Sequence, residues 1–542
     1  MTPKFTIEFI LWLLIAASLI AVISERLRIP YTVALVLGGL ALGSVHFPAV
    51  QDFLSHRPEW LSPDVSLVIF LPALLFEGSL KFQIRHLRQN LVPIFLLATV
   101  GVLVSTLVTG FAVHWFLSVP LLIALLFGTI VAATDPISVL AIFRGMSVNK
   151  RLSTIVEGES LFNDGTAVVL FTILLAAIAT GHISAWSGIR SFCVEVLGGV
   201  AVGLMLGYVF SKATQRIDEP QIEITLTTIL AYGSYLIAES LHVSGVMATV
   251  TAGLMIGNFG AHIGMSPRTR IALWSFWEYV SFVINSLVFL LIGFQVRVGE
   301  WMQSWNAILL IIGVVVAARM LVVYGLLPVS NKFTENIPGR WGHVLVWGGM
   351  RGALSLALAL SLADDFPYRS QILSLTFGVV AFTIVAQGLT IKPLLRTLGM
   401  GTARDDDYSR ARVRQMAVSA AMSDLDEMFQ SHIVSGPVYS ALRSELQSKM
   451  EKTNEEIQEI YGKGTRDFAG EIRHAKRRLL SAEKSAIEEA MHNGFITEQT
   501  ARKMIDEVDQ RLDQLAEEKP SEGPTEEQET NDSGEASDPA PK

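Results

Sequence analysis

The sequence predicts an all-α polytopic membrane protein of about thirteen transmembrane helices, with broken helices at mid-depth and a cytoplasmic helical tail. Three observations carry that expectation. Hydrophobic residues make up 51% of the 542-residue chain and charged residues only 17%, a balance foreign to a soluble protein of this length. The apolar residues fall in blocks of about 20, which a helix rising about 1.5 Å per residue needs to cross hydrocarbon. Lys and Arg are concentrated in every second connection between those blocks. The net charge of −8 is an average that hides acid gathered in the last part of the chain, and no basic stripe suits nucleic acid.

The first block, Phe5 to Ile23, is too long for the apolar core of a signal peptide and no A-x-A site follows, so it reads as the first span. The next blocks centre near Leu40, Ile69, Val104, Ile130, Leu170, Val202, Leu230, Thr251, Ile284, Val314, Leu356 and Val380. Alternate connections hold Arg26 and Arg28; Lys81, Arg85 and Arg88; Arg144, Lys150 and Arg151; Lys212 and Arg216; Arg268 and Arg270; Lys332 and Arg340. The other set, with the N-terminus, holds only Lys4, Arg57, Arg190, Arg297 and Arg369. By the positive-inside bias the richer set is cytoplasmic, the N-terminus lies outside and the C-terminus inside a cell inner (plasma) membrane. A miscounted span would break the alternation. Cys193, the single cysteine, sits in an apolar block and is expected to be a small buried hydrophobe; neither a disulfide framework nor a cysteine-rich metal site follows from it.

Residues 1–400 therefore read as the transmembrane domain. Residues 401–518 are charged and helix-forming, with apolar residues such as Met450, Ile457, Ile472, Leu479, Ile487, Met491, Ile496, Met504 and Ile505 near helical spacings. They read as a cytoplasmic helical regulatory domain that binds a partner or self-associates. Residues 519–542, KPSEGPTEEQETNDSGEASDPAPK, are acidic, rich in Pro, Ser and Gly and free of aromatics, a composition expected to be disordered.

Charges inside the spans are few, and each costs free energy unless it faces the protein interior. They are Glu77 in the third span, Asp135 in the fifth, Glu157, Glu159 and Asp164 at the start of the sixth, Glu278 in the tenth, Arg319 in the eleventh and Arg351 in the twelfth. The fifth span reads LLIALLFGTIVAATDPISVLAIF. Pro136 lacks an N–H and its ring opposes the carbonyl four residues back, so the helix is expected to break there and line a cavity. Thr134 offers its hydroxyl or carbonyl to a cation, and Asp135 either ligates or positions other groups. A proline kink capped by Thr and Asp also occurs in inert helices.

The sixth span opens with GESLFNDGTAV. Ser160 and Asp164, four apart, share one helical face, and Glu159 and Asn163 form the adjacent ridge. A carboxylate, a hydroxyl and an amide oxygen are hard ligands suited to an alkali cation, and no His or Cys cluster competes. A carboxylate in a partly dry site needs its charge neutralised, so proton and cation become mutually exclusive ligands of one Asp. The twelfth span reads WGHVLVWGGMRGALSLALALSLA, where Gly348, Gly349 and Gly352 surround Arg351 and let the backbone open or approach another helix. Arg351 stays charged and needs a buried counter-charge; Glu159 is the first choice and Glu157 the runner-up. If the chain is built of inverted repeats, the fifth and twelfth spans are counterparts. Glu77, in FLPALLFEGSLKF and one turn from Lys81, is either a snorkelling end residue or part of a cytoplasmic funnel for cations. Glu278 and Arg319 read as structural partners for polar groups inside the bundle.

TDP, GESLFNDGTAVV and GGMRGALSLALALS, in that order, resemble the monovalent cation/proton antiporter family. The nearest branch is the bacterial NhaP-type sodium/proton antiporters, similar to the plant plasma-membrane salt-tolerance exchangers. FLPALLFEGS and FTIVAQGLTIKPLL extend the likeness, which covers roughly residues 10 to 400. The resemblance implies thirteen helices, a homodimer, and an elevator-like movement of a core domain giving alternating access. It implies Asp164 as the cation and proton carrier, with Ser160 and Thr134 as ligands of Na+. Asn163 and Asp135 would hold the crossing of broken helices together, and a Glu159–Arg351 ion pair would be structural. Asn163, where electrogenic relatives carry a second Asp, implies the electroneutral branch, exchanging one Na+ or Li+ for one H+ with no cofactor. The charge count agrees, because one carboxylate carries the same charge with a proton or with a cation. Oxygen ligands alone do not separate Na+ from K+, so a potassium/proton antiporter is the alternative. A cation channel would need a repeated filter or a continuous polar pore, and an intramembrane enzyme would need a motif such as HExxH or GxGD, neither of which is present.

Overall fold

The computed structural model describes residues 3–27, 29–44, 63–146, 148–181, 185–214, 217, 219–260, 265–295, 298–334, 336–400, 403–431 and 433–462, with scattered positions as far as 511. The disorder expected of 519–542 lies outside the described residues, as do Arg28, Arg57, Arg216, Arg297, Ile472, Met491 and Ile496. Among the described residues every regular element is helical. The chain divides into two compact units, Met1–Asp406 and Asp407–Lys542.

The first unit runs α1 (Pro3–Leu27), α2 (Tyr31–Ser44), α3 (Pro63–Lys81), the short α4 (Ile84–Gln89), then α5 (Leu91–Phe95) joined through a π-helical turn to α6 (Val102–Leu117). After α7 (Leu121–Ile130) and α8 (Ile137–Arg144) come α9 (Lys150–Thr180), α10 (Ala185–Thr214), α11 (Pro220–Ser240) and α12 (Gly245–Met255). α13 (Pro267–Gln295), α14 (Val298–Ser330), α15 (Gly339–Trp347), α16 (Ala353–Leu360), α17 (Arg369–Phe382) and α18 (Gly388–Thr397) complete it. Every apolar block centre expected from the sequence falls on one of these helices. Seven helices among the described residues are long and apolar enough to cross a membrane, and three shorter apolar helices accompany them.

Both expected interruptions are present. Val131 to Pro136 separates α7 from α8, and Gly348 to Gly352 separates α15 from α16. The two breaks are tied together where the Asp135 N–H donates to the Met350 carbonyl at 2.7 Å. Gly352 is required there, because a Cβ would overlap the Asp135 carboxyl. α2 and α13 touch through glycine in the same way, a Cβ on Gly39 or Gly293 running into the carbonyl of Leu290 or Val36. Around the crossing lie separate apolar clusters: Ile123, Phe127, Leu358 and Val379 on one flank, Val139, Ile155, Val323 and Val344 on the other.

Cys193 departs from expectation, because it is exposed. α10 packs on α12 through Gly199 and Gly203 and also meets α9 and α11. Cys193 lies on the part of its surface left open, a face apolar enough to meet hydrocarbon, which accepts a thiol as readily as a protein core does.

In the second unit, α19 (Ala403–Gln430), whose first residues precede the division, is followed by α20 (Gly436–Gly462). Arg414 pairs with Glu456 at 2.9 Å, the Tyr439 hydroxyl donates to Asp426 at 2.7 Å, and Phe429 stacks on Tyr439 with ring centroids 4.3 Å apart. Ile487 and Val508 pack together further along.

Candidate functional site

Two half-helices, α8 and α16, begin at the crossing, and each leaves backbone N–H groups and a positive dipole end without an intrahelical partner. Asp135 serves both. Its carboxylate accepts from the Ile137 N–H at 2.9 Å and from the backbone of Ala353, the first residues of the two half-helices. The opposite ends, α7 and α15, present carbonyls, and donors meet them. Asn163 donates its amide to the Ala132 carbonyl at 3.4 Å and to Thr134 Oγ1 at 3.2 Å. Arg319 donates Nε and Nη2 to the Leu345 carbonyl at 3.2 and 2.9 Å.

α9 stays helical through the polar stretch, so the i, i+4 spacing holds in space. Thr134 Oγ1 and Ser160 Oγ lie 3.1 Å apart, bridging the broken strand of chain to α9. Thr134, Asp135, Ser160 and Asp164 then line one cavity of about 450 Å³. Glu77, Lys81, Arg144, Glu157 and Glu278 line the same cavity, which gives it a charged approach. Glu77 is in ion-pair contact with Lys81 at 2.9 Å, and Glu278 reaches the same ammonium at 3.5 Å. Glu278 was expected among polar partners inside the bundle; its side chain is instead 65% exposed, because α13 presents that face to the opening.

The ion pair expected between Glu159 and Arg351 is replaced. Glu159 is buried and both its oxygens are taken by Arg319, Nη1 on Oε1 and Nη2 on Oε2 at 2.8 Å. The planar guanidinium of Arg319 covers a carboxylate and a helix-end carbonyl at once, a geometry that suits its fork of donors. Arg351 is equally buried but folds onto its own break, donating Nη1 to the Gly349 carbonyl at 2.7 Å and its backbone N–H to Thr383 Oγ1 at 3.1 Å. Thr383 opens a π-helical turn, Thr383–Gln387, between α17 and α18. Glu157, the runner-up partner, stays in the cavity wall. Arg319 was visible as a mid-span charge, but its partner lies 160 residues away and no spacing rule links them. Thr383 falls within FTIVAQGLTIKPLL, which carried part of the likeness, but nothing in the sequence marked it as a partner of the break.

The family model for the transmembrane sodium/hydrogen exchanger matches residues 13–397. The chain is 36% identical over 506 residues to the Na(+)/H(+) antiporter NhaG of Bacillus atrophaeus, covering 91% of this chain and 95% of that protein. It is 42% identical over 414 residues to the Na(+)/H(+) antiporter ApNhaP of Aphanothece halophytica, covering 76% and 78%. Its fold is similar to the structure of the sodium proton antiporter MjNhaP1 from Methanocaldococcus jannaschii at pH 8, with a TM-score of 0.58 at 22% identity, covering 72% of this chain and 96% of that one.

Proposed function

Because the chain belongs to the sodium/hydrogen exchanger family, we propose that it is an electroneutral antiporter that exchanges one Na+ or Li+ for one H+ across the membrane. The observation that carries this reading is the convergence of Asp164, Ser160, Thr134 and Asp135 on one cavity beside two crossing broken helices. At the crossing, Asp164 has no hydrogen bond or ion pair among the described residues, whereas Asp135 is engaged by backbone donors and Glu159 by Arg319. Glu157, also without such a bond, stands with Arg144, Glu77 and Lys81 in the charged approach. A free carboxylate in such a site is costly, so it holds either a proton or a cation, and each displaces the other. Ser160 and Thr134 supply further hard oxygens for the ion. Asn163, Asp135, Glu159, Arg319 and Arg351 keep the crossing rigid without binding the ion.

The remaining features follow from the same reading. About thirteen crossings put the N-terminus outside and the C-terminus in the cytoplasm. The cavity, flanked by Glu77, Lys81 and Arg144, then opens to the cytoplasm, and alternating access closes it there and opens it outside. Two copies form a homodimer. The test is exchange by purified protein in proteoliposomes, with sodium, lithium and potassium as separate probes. Wild-type protein should acidify or alkalinise the lumen in response to a sodium or lithium gradient, at a rate unaffected when the membrane potential is clamped. Asp164→Asn should lose that flux entirely; full exchange by this variant would end the proposal. Potassium outperforming sodium would replace the cation and keep the mechanism.

A further inference from the structure

The large cavity has a wall that the ion site does not use. α13 and α16 meet along it, and each brings one oxygen that has no hydrogen-bond partner among the described residues: Asn285 Oδ1 and Ser355 Oγ. Asn285 is 6% exposed and Ser355 is 0% exposed, yet both residues line the cavity with Thr134, Ser160 and Asp164.

Local geometry explains why these atoms are left over. Many buried hydroxyls elsewhere in the helices donate to a carbonyl three or four residues back, as Ser79, Ser234, Thr154 and Thr166 do. Ser355 is the third residue of α16, so four residues back lies Arg351, inside the break, whose carbonyl faces Thr383 at 3.5 Å. Nor does Ser355 donate three residues back, as Ser79 and Ser234 do, so its hydroxyl has no partner among the described residues. The Asn285 amide donates to Ser281 Oγ at 3.1 Å, one turn earlier on α13, which fixes the amide plane and leaves Oδ1 without a donor. A buried oxygen in that condition is costly, and its retention in a cavity wall needs a reason other than stability.

Two uncharged oxygens that lack donors attract a cation or the waters around one. Ser355 follows by two residues the Ala353 backbone that Asp135 caps, so it lies about half a helical turn from the crossing. Asp135 also offsets the positive end of α16, which would otherwise repel a cation there. We infer that Asn285 and Ser355 form a second, neutral station for the monovalent cation, which holds it partly hydrated beside the Asp164 site and sets the order of cation preference. A weak station next to a charged one lets the ion leave as well as enter. The station is shared between α13 and α16, so it exists only while those helices are together. The inference rests on the exchange reading given above.

The test uses full-length protein in proteoliposomes, with sodium, lithium and potassium as probes. Ser355→Ala and Asn285→Leu should each raise the KM for sodium about three- to tenfold and change the order of the three cations. The melting temperature of the purified variants should hold or rise, because each loses an orphaned buried oxygen. Ser355→Thr, which keeps the hydroxyl, should retain the wild-type cation order. Each substitution removes one oxygen, so either folded variant decides the matter if the other fails to fold. A uniform fall in rate with all three cations and a lower melting temperature would make the residues structural and overturn the station. An unchanged KM and cation order would overturn it too, while wild-type exchange lost in Asp164→Asn leaves the transport reading intact. No exchange by wild-type protein would sink both.

Discussion

Arg319 and Arg351 are both buried guanidiniums near the crossing, but they do different work. Arg319 neutralises Glu159 and caps the α15 carbonyl end, so its loss strands a buried carboxylate. Breaking one partner of such a pair costs about 3–5 kcal/mol. Arg319→Met should therefore lower the unfolding free energy by about that amount, and Glu159→Gln in the same chain should recover part of it, because the stranded charge is gone. Arg351→Met should couple weakly to Glu159→Gln; a thermal-melt double-mutant cycle giving the larger coupling to Arg351 would reverse the assignment. The sequence revealed which residues carry charge inside the bundle, since any such residue stands out against Leu and Val. It did not reveal their pairing, because the position of a guanidinium on α14 relative to α9 depends on packing between helices far apart in the chain. Arg351 illustrates the failure: flanking glycines correctly marked an open backbone, but that same opening supplies the Gly349 carbonyl that the side chain takes.

At the scale of elements, the broken helices were legible because proline and glycine act through local backbone chemistry. The π-helical turn at Thr383–Gln387 was not, since its extra residue is chosen by what Thr383 meets on the neighbouring break. Close contact between the two interruptions makes Gly352 a sensitive position. Gly352→Ala drives a methyl into the Asp135 carboxyl and should cost about 1–3 kcal/mol of stability, with cation-dependent exchange lost before the fold is. Normal exchange kinetics in Gly352→Ala would mean that the crossing tolerates separation. The short α4 makes a different prediction. Burial, and then the charges of Lys150 and Arg85, hold the His86 imidazole below its ordinary range. The folded state then binds fewer protons than the unfolded chain just below pH about 6.5, so stability rises with pH up to that point. His86→Gln should melt above wild type at pH about 5.5 and match it at pH about 8; identical curves at the lower pH would remove the effect.

For the whole molecule, periodic apolar blocks and the phase of Lys and Arg made the helical membrane architecture readable, because both reflect the solvent around each segment rather than particular contacts. The second unit carries no such signal, only charge and helical spacing, and its task is the least readable part of the chain. Its position suggests one. Every residue of the proposed ion site, from Glu77 to Arg351, lies in the unit that ends at Asp406, which has its own apolar clusters. A chain cut after Arg404 should therefore still exchange cations for protons and still depend on Asp164. If residues 401–518 regulate by binding a partner or a second copy, the cut should shift the pH at which exchange begins, or the sodium concentration giving half-maximal rate, without abolishing transport. The measurement is the pH and sodium dependence of exchange in proteoliposomes, truncated against full-length at equal protein. Superimposable profiles would count against regulation in the purified protein. Loss of all exchange from a folded truncated chain would make the second unit part of the transport machinery, contrary to the confinement of the proposed ion site to the first.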